Sequence, residues 1–191
     1  MKTKYLSAKE MEELDKKALE IGLTVPQMME NVGNDVARFV LTLNPKKVLA
    51  LVGKGNNGGD ALAVLRFLSI EGIDVQYVLV SDYNENVEHQ LKILKNIGIK
   101  EGGFDADVIL DGLLGYNIKG NPRGEVAELI EKANRSNAKI VAIDIPSGMD
   151  PDTGKEYSPC IRYDYIFTLA QPKLCLKGRK FELSRIGIKI K

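Results

Sequence analysis

Three stretches of this sequence gather side chains suited to polar chemistry: Gly53-Lys54-Gly55-Asn56-Asn57-Gly58-Gly59-Asp60, Asp111-Gly112-Leu113-Leu114-Gly115-Tyr116 and Asp144-Ile145-Pro146-Ser147-Gly148-Met149-Asp150. The first follows an apolar run, Val48-Leu49-Ala50-Leu51-Val52, and precedes a helical pattern, so it reads as a strand, a glycine turn and a helix N-terminus. Glycines let the main chain approach a ligand, and the amides opening a helix aim partial positive charge at it. That arrangement is an anion cradle suited to phosphate. The same stretch satisfies G-x-G-x-x-G at Gly53, Gly55 and Gly58, which raises a dinucleotide-dependent oxidoreductase with Asp82 as ribose acceptor. It is not the phosphate loop of NTPases, because Lys54 comes too early and no Lys-Ser or Lys-Thr pair closes it. Neither scheme uses the amides of Asn56 and Asn57 or the carboxylate of Asp60. A cradle made of backbone alone needs none of them.

The elements that must position these residues are legible from pattern. Ser7-Ala8-Lys9-Glu10 is a capping box starting a helix through about Glu20, and Thr24 with Pro26 opens a second helix to about Leu43. Strands are expected at 47–52, 74–80, 107–111, 139–144, 164–169 and near 186–190, with helices at 59–71, 85–97 and 124–136 between them. Apolar strands alternating with helices imply a mostly parallel sheet covered on both faces. The expected fold is α/β, a Rossmann-like doubly wound three-layer α/β/α sandwich. It forms one domain over 1–191, with a helical arm at 1–45 and a core at 46–191. Ligands of such sheets bind beyond the carboxyl ends of the strands, and Asp111 is placed as the last residue of its strand. Asn56, Asn57, Asp60, Asp111, Asp144 and Ser147 therefore ring one mouth, facing a polar loop from Gly115 to Gly124. Carboxylates at strand ends sit where burial is costly unless they are paired or ligated.

Composition removes several classes of function. A net charge of +1 gives no field for nucleic acid, and Lys173, Lys177, Arg179 and Lys180 read as a solvated face. No apolar run is long enough to span a bilayer and the N-terminus has no signal-peptide pattern, so no membrane is expected and the location is cytoplasmic. Cys160 and Cys175 read as buried, reduced thiols. The single histidine, His89, faces away from its helix's apolar stripe, which removes histidine-dependent triads, most metal hydrolases and the usual acid of a dehydrogenase.

In this order and spacing, GKGNNGGD, DGLLGYNIKG and AIDIPSGMDPDTG resemble the NAD(P)HX epimerase family, also called the YjeF N-terminal domain. Met29-Glu30-Asn31-Val32-Gly33 and Gln171-Pro172-Lys173 extend the resemblance over most of the chain. It implies an isomerase of nicotinamide cofactor repair, interconverting the R and S hydrates of NADH and NADPH for a separate ATP- or ADP-dependent dehydratase. It implies that Asn56, Asn57, Gly58, Gly59 and Asp60, with Gly115, Tyr116, Asn117, Ile118, Lys119, Gly120 and Asn121, hold the substrate, and that Asp144 contacts it. It also implies one potassium ion per subunit, held by Asn57, Asp111 and Ser147, and a homodimer. Ala61 and Val126 depart from the family, which usually has glycine at the first position and in many bacterial members tyrosine at the second.

The carbon to be inverted carries a hydroxyl beside the ring nitrogen, so loss of water and its return on the other face suffices, without hydride transfer. Asp144 is assigned as catalytic acid and base, because a partly buried carboxyl can hold a proton near neutral pH. The alternative is a non-catalytic nucleotide-binding or scaffold module of the same fold, which would show degraded mouth residues. The apolar positions Met28, Met29, Val32, Val36 and Phe39 exceed what one sheet face needs, which also points to a dimer through the arm.

Overall fold

The computed structural model describes residues 3–187. Its elements are α1 (Ala8–Glu20), α2 (Val25–Leu41), β1 (Lys47–Val52), α3 (Asn56–Ile70), β2 (Asp74–Leu79), α4 (Glu85–Asn96), β3 (Val108–Gly112), α5 (Gly124–Arg135), β4 (Lys139–Ile143), β5 (Tyr165–Leu169) and β6 (Glu182–Ser184), with a 3₁₀ turn at Leu174–Leu176. The strands form one sheet in the order β2-β1-β3-β4-β5-β6, and every neighbouring pair is parallel. Side chains of β1 alternate between two layers: Val48, Ala50 and Val52 join the core under α2, α3 and α4, whereas Leu49 and Leu51 join the core under α5. Burial on both faces explains why this strand carries no polar residue after Lys47.

Two boundaries differ from expectation in ways that matter for the site. α3 begins at Asn56, so Asn57, Gly58 and Gly59 are helical and Asp60 lies beyond the first turn, where it does not cap the helix. The glycines had suggested a longer loop because they weaken helices. Here they are required by close packing: a Cβ on Gly58 would stand 2.2 Å from the Gly53 carbonyl oxygen, and one on Gly59 would stand 2.6 Å from the Met29 methyl. β3 runs one residue past Asp111, so that carboxylate projects from within the strand. At the chain's end the sixth strand is Glu182–Ser184; the segment expected near 186–190 begins as a turn at Ile186 and Gly187 and otherwise lies outside the described residues.

The arm is bound to the core along its length. Both of its helices open with complete capping boxes, at Ser7 with Glu10 and Thr24 with Gln27. α2 lies so close to α3 that a Cβ on Gly33 would meet the Ala63 Cβ at 3.0 Å. Met29, Val32 and Val36 are buried by that contact, and Met28 and Phe39 pack against the same core. The apolar surplus expected to drive dimerisation is therefore spent within the chain. Ahead of α1, the Leu6 amide donates to the Pro172 carbonyl at 2.9 Å and the Leu174 amide donates back to the Leu6 carbonyl at 2.9 Å. Among the described residues no helix is long and apolar enough to cross a membrane.

Candidate active site

Parallel register brings the ends of β1, β3 and β4 to one edge: Leu51 lies beside Asp111, and Asp111 beside Ala142. Asp111, fully buried, accepts hydrogen bonds from the Ser147 hydroxyl at 2.6 Å, the Ser147 amide at 2.8 Å and the Leu113 amide at 3.3 Å. It thereby ties the loop after β3 to the loop after β4. Burial pushes its carboxyl up to about 6, and the three donors only partly offset this. Asn57 completes the junction, its amide group donating to the carbonyls of Leu114 and Ile143 at 3.1 Å each. Its carbonyl oxygen Oδ1 is buried with no hydrogen-bond partner. Asn57, Asp111 and Ser147 thus meet around the backbone of Leu114, whose amide also donates to the Ser147 hydroxyl at 2.9 Å. An unpartnered buried amide oxygen in one network with a hydroxyl and a carboxylate is a donor set chemically suited to a hard cation.

The second half of the site surrounds Asp144, the first residue after β4. Its backbone is left-handed, with φ of 72°, a conformation that Asp tolerates better than most residues and that concentrates at functional sites. Asp144 Oδ1 is bound by the ammonium of Lys173, which also donates to the Leu169 carbonyl at 2.9 Å. Asp144 Oδ2 lies 3.6 Å from where a Cβ on Gly115 would stand, an ordinary contact distance, so this oxygen lies beside the Gly115 backbone. The Lys173 ammonium also sits 5.8 Å from the centre of the Tyr116 ring, and the Tyr116 hydroxyl donates to Asp15 of α1 at 2.5 Å. Burial pushes the Asp15 carboxyl up, opposed by the Tyr116 hydrogen bond and the Lys173 charge. Asp60 is only 7% exposed. Burial drives its carboxyl well above the usual range, reinforced by Asp144 and Asp15 and opposed by Lys173.

The remaining expected residues divide in two. Gly58 and Gly59 are buried, Gly115, Tyr116 and Ile118 half-buried, while Asn117, Lys119, Gly120 and Asn121 face solvent. Asn121 accepts from the Ser158 amide at 3.2 Å, and Asn56 accepts from the side-chain amides of Asn84 and Asn86 at 2.9 and 3.1 Å. Ala61 is buried near Gly112, where a Cβ would meet its methyl at 2.6 Å, and Val126 packs on the core beneath α5. Asp82 and His89 are exposed.

Lys173 corrects the reading of a solvated basic face, since it is fully buried at the heart of the site. Its one local signal was its place after the end of β5, a fourth strand delivering to the same edge. Asp15 had no signal at all, because a carboxylate in an amphipathic helix normally faces water. Cys160 and Cys175 are free thiols, both pushed up to about 12 by burial. An open groove of about 600 Å³ between Asn134 and the 156–163 segment shares no lining residue with this mouth.

Comparison with known proteins sets this geometry in a family. Residues 25–175 match the family described as YjeF-related protein N-terminus. The chain is 38% identical over 183 residues to an NAD(P)H-hydrate epimerase of Dehalogenimonas lykanthroporepellens, covering 88% of this chain and 75% of the relative. It is 34% identical to an NAD(P)H-hydrate epimerase of Cenarchaeum symbiosum, covering 92% and 89%. It is also 32% identical to a bifunctional NAD(P)H-hydrate repair enzyme Nnr of Archaeoglobus fulgidus, where 97% of this chain spans 41% of the relative. The crystal structure of the yeast protein ynu0 superposes with a TM-score of 0.85 at 26% identity, over 93% of this chain and 84% of that one. With the matched segment running from α2 through the 3₁₀ turn and relatives aligned over almost the whole length, the chain belongs to the YjeF-related N-terminus family.

Proposed function

We propose that this protein is an NAD(P)H-hydrate epimerase, an isomerase that interconverts the R and S hydrates of NADH and NADPH. The observation that carries the reading is Asp144: one oxygen is fixed by buried Lys173, and the other lies beside Gly115 at the mouth. The proposed substrate is a carbinolamine, so a carboxylate that accepts and returns a proton at the hydroxyl oxygen can invert the carbon by loss and return of water. The Gly53–Asp60 segment supports an anion-binding role: Gly55 is the N-cap of α3 and gives no side-chain cap, and nothing lies within 4 Å of where its Cβ would be. Amides at such a start suit the cofactor's diphosphate. Asn56 to Asp60 and Gly115 to Asn121 would then flank the substrate on two sides.

We further propose one potassium ion per subunit at Asn57 Oδ1, Asp111 and Ser147. The orphaned Asn57 oxygen supports it, as does a donor set of oxygens with a single carboxylate. When bound, the cation supplies positive charge that locks the loops after β3 and β4 to the start of α3. The reading extends to a homodimer in the cytoplasm, supported by Leu19 and Ile21, which are 49% and 73% exposed on the arm, and by two free thiols suited to a reducing compartment. Its product would pass to an ATP- or ADP-dependent hydrate dehydratase; relatives named bifunctional repair enzymes, more than twice as long, fit that coupling.

The test is conversion of purified R hydrate to the S form, followed by chromatography. Wild-type protein should equilibrate the two, and binding without interconversion would leave the chain a non-catalytic module of the same fold.

A further inference from the structure

The site holds one more carboxyl than Asp144 chemistry uses. Loss of the hydroxyl from one face of the ring and return of water to the other call for a proton-transfer group on each face, and Asp144, with Oδ1 held by Lys173, has a single free oxygen and can serve only one. The other titratable groups are committed as well. The Lys173 ammonium is spent on Asp144, the Leu169 carbonyl and, at 3.5 Å, the Thr168 hydroxyl. The Tyr116 hydroxyl donates to Asp15, whose carboxylate thereby accepts. Asp60 alone is more than nine-tenths buried without a hydrogen-bond or ion-pair partner among the described residues. It sits one turn past Asn57 on α3, within electrostatic reach of Asp144, Asp15 and Lys173.

We propose that Asp60 is a second catalytic carboxyl of this site, the acid that protonates the departing hydroxyl while Asp144 takes the proton of the incoming water. The inference rests on the epimerase reading. Asp60 gives its proton to the hydroxyl oxygen, the carbon–oxygen bond breaks, and water leaves as the ring-nitrogen lone pair forms the iminium. Water then adds to the carbon from the other face and its proton passes to Asp144. No redox partner or co-reactant is consumed. The enzyme is left with Asp60 ionised and Asp144 protonated, the arrangement that runs the same steps on the opposite epimer, and proton exchange with solvent restores the first form. Burial and two neighbouring carboxylates favour the protonated state of Asp60 at the start, with Lys173 the one charge opposing it.

Asp60→Asn keeps the shape and removes the proton. It is expected to slow epimerisation by about 10²–10⁴-fold, with affinity for NADPH by calorimetry changed only a few-fold. In Asp60→Gly, added formate should restore part of the rate, a response that a merely structural carboxylate would not give. Near-wild-type epimerisation by Asp60→Asn overturns the inference. So does the absence of formate rescue in an Asp60→Gly protein whose circular dichroism and NADPH affinity match wild type. Inactivity of the wild-type protein toward either hydrate would instead sink the epimerase reading itself.

Discussion

At the scale of single residues, the site is governed by what burial does to charge. Lys173 and Asp144 are each nearly inaccessible, so removing either leaves an uncompensated charge where water cannot reach it. Lys173→Met should cost about 3–5 kcal/mol in urea unfolding. Combined with Asp144→Asn it should cost clearly less than the two singles added, by about 0.5–3 kcal/mol of coupling; strict additivity would mean the pair does not interact in solution. Asp144→Asn should also slow epimerisation by about 10²–10⁴-fold, since an amide carries no transferable proton. Asp111 poses a different balance. Its carboxyl is raised from 3.8 to about 6 in the fold, so in potassium-free buffer the native state holds a proton there that the unfolded chain has lost. Stability from this group is therefore full below about pH 4, declines as pH rises toward 6, and is lower by roughly 3 kcal/mol above it. Asp111→Asn lacks the ionisation, so the stability of wild type relative to this variant should fall across that window and then level off. If potassium binds there, adding it should recover stability above pH 6 in wild type, and the variant's epimerisation should recover partly at high potassium.

At the scale of elements, most of what places these residues was written in local pattern. Alternating apolar runs and capped helices specify the sheet and its covering layers, and strand ends in a parallel sheet share one edge by construction. What pattern could not supply was contact across the chain. Gly58 and Gly59 carry a helix-breaking signal in isolation, and only the closeness of Gly53 and Met29 explains why a helix forms there. Lys173 and Asp15 look like surface charges in their own windows; Lys173 becomes buried and Asp15 half-buried because Asp144 and Tyr116 come to meet them from elsewhere in the chain. The same closeness gives a prediction at the junction of β1 and α3. A Cβ on Gly53 would stand 1.8 Å from the Leu113 carbonyl oxygen, so Gly53→Ala must displace backbone and should cost about 1–3 kcal/mol or more. That shift would move Leu114 away from Asn57 and Ser147, lowering activity with stability. Gly55→Ala meets nothing within 4 Å, and its melting temperature should stay close to wild type. Equal losses in both variants would refute the packing argument.

At the scale of the whole molecule, the arm contributes Asp15 to the site and Leu6 to the segment that carries Lys173. A protein lacking residues 1–23 loses Asp15 from the Tyr116 hydroxyl and Leu6 from the segment around Lys173, and is expected to lose epimerisation together with several degrees of melting temperature. For the proposed dimer, light scattering at micromolar concentration should give twice the chain mass, and Ile21→Glu should shift it toward one; a wild-type monomer would remove the proposal. The bridge between residue 6 and residue 173 also orders events during synthesis. Leu6 is made 167 residues ahead of its partner, so at about 5–20 residues per second it waits on the order of ten seconds or more for Lys173 to emerge. Through that interval the nascent chain exposes an amphipathic arm with an undocked end, and the buried Lys173–Asp144 pair forms only after Lys173 emerges.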